Sequence, residues 1–478
     1  MEKYEYVIVG GGVAAVSCAE ELRCTDENAQ IALISASPLL KTVANRVLIG
    51  QLTESFDIAE RSAADAFTDI NIRVIKAKVI NWDAELKQLQ LDNGSSINYD
   101  KLCIATGAHP KENWAHPLVL SIRDTETVER IRQKIADAKR VVVIGNGGIA
   151  TEIVYELRNV DIVWAIRHSS ISHTFFDVGA AEFLKPMLIS GHQGSEESHN
   201  KISKRLKITV DKDEDGDKVA VGCALGPDWT SSLDIVGALK KRSVNVIYNV
   251  EMEKVISEKE AKCCLSTNSM PLVQGEWPLY IRLTNGQAIG CDIVIQATGV
   301  EPNSGMWRNE CDKLEIAPDG GIVVDESMMS SVKDVYACGD VCTAGWVWSK
   351  HWFQMRLWTQ ARQMGAFCGR AMAVPEIPLD FCFELFTHVT YFFGFKVIFL
   401  GRYNGEGVEK PWHALLRVTP NKEYVKLIVH NGRIQGALLI GETNLEEVVE
   451  NLILNQIDIT DQEEGLLDPN IDIDDYFD

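Results

Sequence analysis

Short, uninterrupted apolar runs that end on glycine punctuate this chain, at residues 6–9 (Y-V-I-V), 140–144 (R-V-V-V-I) and 293–296 (I-V-I-Q). Runs of this kind predict strands buried on both faces. Similar segments at 31–34, 73–80, 162–166, 244–250, 320–325 and 335–341 predict further strands. Helices are predicted after the first glycine run, over 40–50, over 125–138 with one polar face, and ending in A-R-Q-M-G at 361–365. Beyond residue 376 the pattern changes to alternating apolar and polar positions at 396–400, 424–429 and 435–440, ahead of a helix at 445–455. Strand–helix alternation followed by an alternating module predicts an α/β chain with a small α+β domain at its end.

The glycines carry chemistry. Gly10-x-Gly12-x-x-Ala15 follows the first strand directly. Gly10 permits the tight turn, Gly12 leaves room for a pyrophosphate, and Ala15 lets the next helix pack on the strand. The phosphates then meet free N–H groups at the helix N-terminus. The pattern returns as Gly145-x-Gly147-x-x-Ala150, with Ile149 and Glu152 on the helix behind it. Two such units imply two dinucleotides. After each comes a strand ending in Ala-Thr-Gly, at Ala105, Thr106 and Gly107 and again at Ala297, Thr298 and Gly299, with Pro110 and Pro302 beyond. Late in the chain, Gly339 and Asp340 sit just past another strand.

This ordered set resembles the pyridine nucleotide-disulfide oxidoreductases, over residues 4 to about 370. The resemblance implies two Rossmann-like domains, with FAD at the first glycine motif, NAD(P)H at the second, and the flavin's ribityl chain at Gly339 and Asp340. It implies an FAD domain at 1–120 and 304–375 and an NAD(P)H domain inserted at 121–303. A C-terminal α+β domain follows at 376–460. Val79 falls where that family's backbone meets adenine. Ser35 stands where an acid usually meets the adenosine ribose, and its hydroxyl can still serve. At 40–50 the family's disulfide reductases open a helix with two cysteines; this chain has none there. Without that dithiol, disulfide reduction is disfavoured, and electrons pass directly from flavin to an outside acceptor. Lys41 and Arg46 either face the flavin and stabilise its reduced form or are two exposed cations on a helix. At the end of 162–166 there is no acid, and Arg167 and His168 follow, which predicts use of both NADH and NADPH.

Composition adds limits. The 478 residues carry a net charge of −21, which disfavours unaided binding to nucleic acid or an anionic membrane. No apolar run is as long as a membrane span, and the first strand starts by Tyr4, from which no leader is expected. The twelve cysteines show no zinc-type spacing. Cys338 and Cys342 bracket Asp340, either as a thiol pair or as small residues wanted at a strand end. Charge clusters at 190–232 predict an insertion, either a solvated loop or a dedicated partner surface. The tryptophans at 346, 348, 352 and 358 form a core stripe, or else stack near the flavin or make a partner surface. The end, 461–478, mixes carboxylates with Leu466, Ile471, Tyr476 and Phe477, as in a segment that orders on a partner.

Stretches at 144–150, 174–184, 224–229, 354–365 and 466–473 extend the resemblance to one branch of the family across essentially the whole chain. It implies an FAD-dependent NAD(P)H oxidoreductase of nucleus and cytoplasm. It also implies a partner, an RtcB-type tRNA-splicing ligase, protected from oxidative inactivation. The alternative is a redox-gated binding protein that shields the partner with little turnover.

Overall fold

A computed structural model describes residues 2–63, 67, 70–122, 125–191, 235–263, 270–463 and 465–468. Almost all of the charged stretch at 190–232 and the last ten residues lie outside the described residues.

The Glu2–Val9 strand is the axis of the first sheet. Its apolar half, Tyr6 to Val9, is buried, and the helix Val13–Thr25 packs against it. Ile31–Ser35 and Ser96–Ile104 run parallel to it on either flank, Arg73–Lys76 extends one edge, and Val335–Ala337 returns from late in the chain to pair with Ser96–Ile104. The sheet thus holds strands from two distant parts of the sequence.

A second parallel sheet orders Val119–Ser121, Ile293–Gln296, Arg140–Ile144, Asp161–Ala165 and Ser243–Ile247. Met252–Ile256, Leu279–Leu283 and Ala288–Cys291 form a small antiparallel sheet beside it. Chain enters and leaves this region through a two-stranded ribbon in which Ala108–Pro110 pairs with Val300–Pro302. The C-terminal region is a five-stranded antiparallel sheet, Thr387–Phe392, Phe395–Gly401, Arg433–Ile440, Glu423–His430 and His413–Thr419, backed by the helix Glu446–Leu454.

One core is shared between regions. Phe175 and Phe176 from the second region pack on Phe392 and Phe399 of the C-terminal sheet, with ring centroids 5.4–5.9 Å apart. Lys426 of that sheet, buried, pairs with Asp177, which caps the helix Val178–Ser190 by accepting from the Ala180 amide. Burial pushes the Asp177 carboxyl up, but Lys426 and the Ala180 and Gly179 amides outweigh it and hold it low.

Several expectations change. Residues 40–50 are not helical: Leu39–Leu48 is a strand paired with Glu54–Ser62. Thr42, Val43 and Val47 are β-branched and suit a strand, and the hairpin sets them opposite Ala59, Ile58 and Ser55. Residues 73–80 split into Arg73–Lys76 and Val79–Asp83, which pair with different strands. Residues 461–468 are not free tail, because Leu466 is 2% exposed and packs in the C-terminal core. Of the tryptophans, Trp346 and Trp352 are buried and stacked, while Trp348 is 41% exposed and Trp358 lines a cavity.

Candidate functional site

Three helix N-termini open on one cavity of about 1210 Å³. The first helix, Val13–Thr25, starts at Gly12 with no side-chain cap, so its leading N–H groups are free for a ligand. Gly148–Glu156 starts at Gly147 in the same way. Trp358–Ala373 starts at Leu357, again uncapped. All three starts line the cavity.

The glycines divide the labour. A Cβ on Gly10 would lie 2.2 Å from the Ala105 carbonyl oxygen, and one on Gly145 would lie 2.1 Å from that of Ala297. Both have positive φ, so glycine is required there twice over. Gly12 and Gly147 have nothing within 4 Å of an added Cβ. At those two positions the missing side chain leaves room for a ligand. Gly11 is a residue the sequence reading passed over: a Cβ would meet Ser35 Oγ at 2.4 Å. The run of three glycines was its signal.

Most of the expected residues meet at the cavity. Its wall includes Gly10, Gly12, Ser35, Val79, Ala105, Thr106, Gly107, Gly145, Gly147, Ile149, Glu152, Arg167, Thr298, Gly299 and Asp340. Ala15 and Gly339 lie just behind it: Ala15 is fully buried, and a Cβ on Gly339 would strike Ala14 at 2.6 Å. Ser35 turns its hydroxyl into its own loop, donating to the Ser37 carbonyl at 3.0 Å. Its donor is therefore occupied.

Lys41 and Arg46 are not in the wall. Lys41 is 2% exposed and pairs with Glu60; Arg46 pairs with Glu54 at 2.6 Å. Glu54, buried, also takes Arg362, and the Glu450 carboxylate caps the Leu52 and Thr53 amides at 2.9 and 2.8 Å. The hairpin that replaces the expected helix is thus tied to the C-terminal region, and its cations answer carboxylates.

The Asp340 carboxylate accepts no hydrogen bond from any described residue, and Asp340 lines the cavity. Burial pushes its carboxyl up and Arg356 pulls it back. Arg356 also donates to the Asp340 carbonyl at 2.8 Å and to Asp319 at 2.8 Å, fixing the turn. At the other end, Arg167 pairs with Glu251 at 2.9 Å, with both side chains largely exposed. His168 stacks on His173 at 4.2 Å, and burial, His173 and Arg167 together lower its pKa. Gln296 Oε1, buried on the cavity wall, has no partner among the described residues. Arg356, Gln296 and Glu251 carry no motif, and sequence reading missed them.

Cys338 is the only cysteine among the described lining residues. Its thiol lies 3.5 Å from Cys103, and Cys18, Cys103 and Cys368 cluster within 4.8 Å, all fully buried. The bond to Cys103 raises the Cys338 pKa, and burial raises those of Cys342 and Cys368. Cys103 and Cys338 are diagonal on neighbouring parallel strands, since Cys103 is opposite Tyr336. Both thiols are in the reduced, unbridged form. These are neutral packing thiols.

A sequence profile described as pyridine nucleotide-disulphide oxidoreductase matches residues 4–190 and 233–365. The chain belongs to that family. Its relatives include pyridine nucleotide-disulfide oxidoreductase domain-containing protein 1 of Mus musculus, 42% identical, the match spanning 99% of this chain and 98% of that one. The protein of the same name from Dictyostelium discoideum is 35% identical over 99% of each. Among solved structures, the ferredoxin reductase for the CYP199A2 system from Rhodopseudomonas palustris shares the fold at a TM-score of 0.66 and 18% identity, with 100% of both chains covered. An NAD-dependent persulfide reductase from A. fulgidus aligns at 0.65 and 19%, over 96% of this chain and 78% of that one. Family members bind FAD and NAD(P)H, and the residues fit both groups. Space at Gly12 and Gly147 admits two pyrophosphates, Asp340 offers an unanswered acceptor to a polyol, and Gln296 offers one to an amide.

Proposed function

We propose that this flavoprotein oxidoreductase takes hydride from NADH or NADPH directly onto FAD, with no thiol relay, and protects an RtcB-type tRNA-splicing ligase from oxidative inactivation in nucleus and cytoplasm. Bound FAD supplies the two-electron chemistry. The residues bind and orient. Helix starts at Gly12 and Gly147 receive the phosphates, Asp340 holds the polyol, and Arg167 with Glu251 meets the adenosine end of the nicotinamide cofactor.

One observation carries this reading. The only thiol on the described cavity wall is Cys338, which is buried and raised in pKa. A relay needs an accessible thiolate. The partner rests on the sequence resemblance, and thiol-liganded metal in a ligase is chemically worth protecting. The carboxylates at 472, 474 and 475 suit an electropositive, RNA-binding cleft.

The test is ligase half-life in air with this protein and NADH. Full-length protein should prolong it severalfold, and a chain ending at Asp468 should not, while holding as much FAD. Cutting there rather than at 461 spares buried Leu466. Equal decay with and without the full-length protein would rule protection out.

A further inference from the structure

The strand Thr387–Phe392 belongs to the C-terminal sheet, yet three of its residues line the cofactor cavity: His388, Thr390 and Phe392. They are two apart, so they share one face of the strand, spaced about 7 Å from each to the next. Phe392 reaches the second cradle, where a Cβ on Gly148 would lie 3.6 Å from its ring. His388 is tied to the first, because its Nδ1 is 3.0 Å from the hydroxyl of Thr359, in the opening turn of Trp358–Ala373. The residues just before Thr359, Met355 to Trp358, line the cavity, and Arg356 among them holds the Asp340 turn. The strand therefore bridges the two cradles where flavin and nicotinamide must meet.

His388 is 5% exposed and stacks near Phe399 with ring planes 17° apart. Burial lowers its pKa to about 4, so it is neutral at physiological pH. A neutral imidazole has one N–H donor and one acceptor nitrogen. The Thr359 hydroxyl can donate to Nδ1, and in that tautomer the proton sits on Nε2. Nε2 has no partner among the described residues. A dry, oriented, uncharged donor beside an uncapped helix start favours negative charge on a bound group.

We propose that His388, oriented by Thr359, donates a hydrogen bond from Nε2 to the bound flavin ring and raises its reduction potential. The chain's own C-terminal region thereby tunes the cofactor. The proposal rests on flavin occupying the first cradle.

The test measures flavin midpoint potential and FAD affinity in purified wild type and in His388→Leu, His388→Gln and Thr359→Val. Removing one such donor changes an equilibrium about tenfold, or about 30 mV for a two-electron couple. His388→Leu should retain FAD and shift by about that much to more negative potential. His388→Gln, whose amide can reach the Nε2 position, should stay near wild type, and Thr359→Val should shift part of the way. If His388→Leu does not fold, the other two decide: a shift in Thr359→Val alone supports the proposal. Unchanged potentials in flavin-loaded His388→Leu, or in Thr359→Val where that variant decides, would overturn it. Wild type that holds no flavin would instead sink the underlying cofactor reading.

Discussion

The two glycine turns share a sequence pattern but sit in different surroundings. Behind the first, the helix Val13–Thr25 is pressed by Trp358–Ala373 at backbone contact: a Cβ on Gly365 would lie 2.3 Å from the Ala14 carbonyl, and one on Gly369 would lie 2.5 Å from that of Cys18. Two helices locked that closely, with a buried turn at Asp340, suit a cofactor that stays. The second turn is flanked by exposed Arg167 and Glu251, with the aromatic rings of Phe175 and Phe392 over Gly148. That edge suits a cofactor that exchanges. On this reading one pattern serves a resident group and a visiting one, and packing beyond the motif separates them.

The sharpest way to break this comparison is to fill each cradle. Gly12 and Gly147 have ordinary negative φ, −83° and −93°, and open space at Cβ, so valine leaves the backbone unstrained. Gly12→Val should be purified nearly free of flavin, with affinity down by a hundredfold or more, on the order of 3 kcal/mol. Gly147→Val should keep its full flavin absorbance and lose NADH-dependent bleaching by a similar factor. Flavin loss in both variants would erase the distinction.

The wall shared by the cradles is the next place to press. His388 titrates near 4 folded against 6.5 unfolded. The unfolded chain takes the proton first as pH falls, so stability present above about 6.5 is lost towards pH 4, by up to ~3 kcal/mol. Denaturant unfolding of His388→Gln should lose that much less over the same window than wild type does. Identical slopes would mean that the imidazole is wet. Asp340→Ala removes an acceptor from the resident cofactor, about 2 kcal/mol for a charged hydrogen bond, so FAD should bind tenfold or more weakly by equilibrium dialysis. The smallest effect belongs at the exchanging edge. Glu251→Gln frees Arg167 from an exposed pair, and the NADPH to NADH preference should rise severalfold in KM ratio, within about 1 kcal/mol.

The glycine turns were legible because geometry leaves them no substitute: Gly10 and Gly145 each press against a carbonyl oxygen from a following Ala-Thr-Gly strand. Buried strands were legible from their apolar runs. The 40–50 segment was not, because its helix was expected from the family's pattern, whereas Thr42, Val43 and Val47 pair with Glu54–Ser62. Lys41 and Arg46 went with it, each answered by a carboxylate that only the hairpin brings near. His388 and Gln296 had no local signal either. Their place depends on strands from far apart in sequence converging on one cavity.

The central claim is that electrons enter through flavin alone. Anaerobic titration of the purified protein with NADH, followed by flavin absorbance, counts the acceptors directly. Bleaching should be complete at about one NADH per FAD, the two electrons a flavin accepts. Uptake of about two per FAD, with a new pair of thiols appearing on reduction, would show a disulfide in the path and contradict the account.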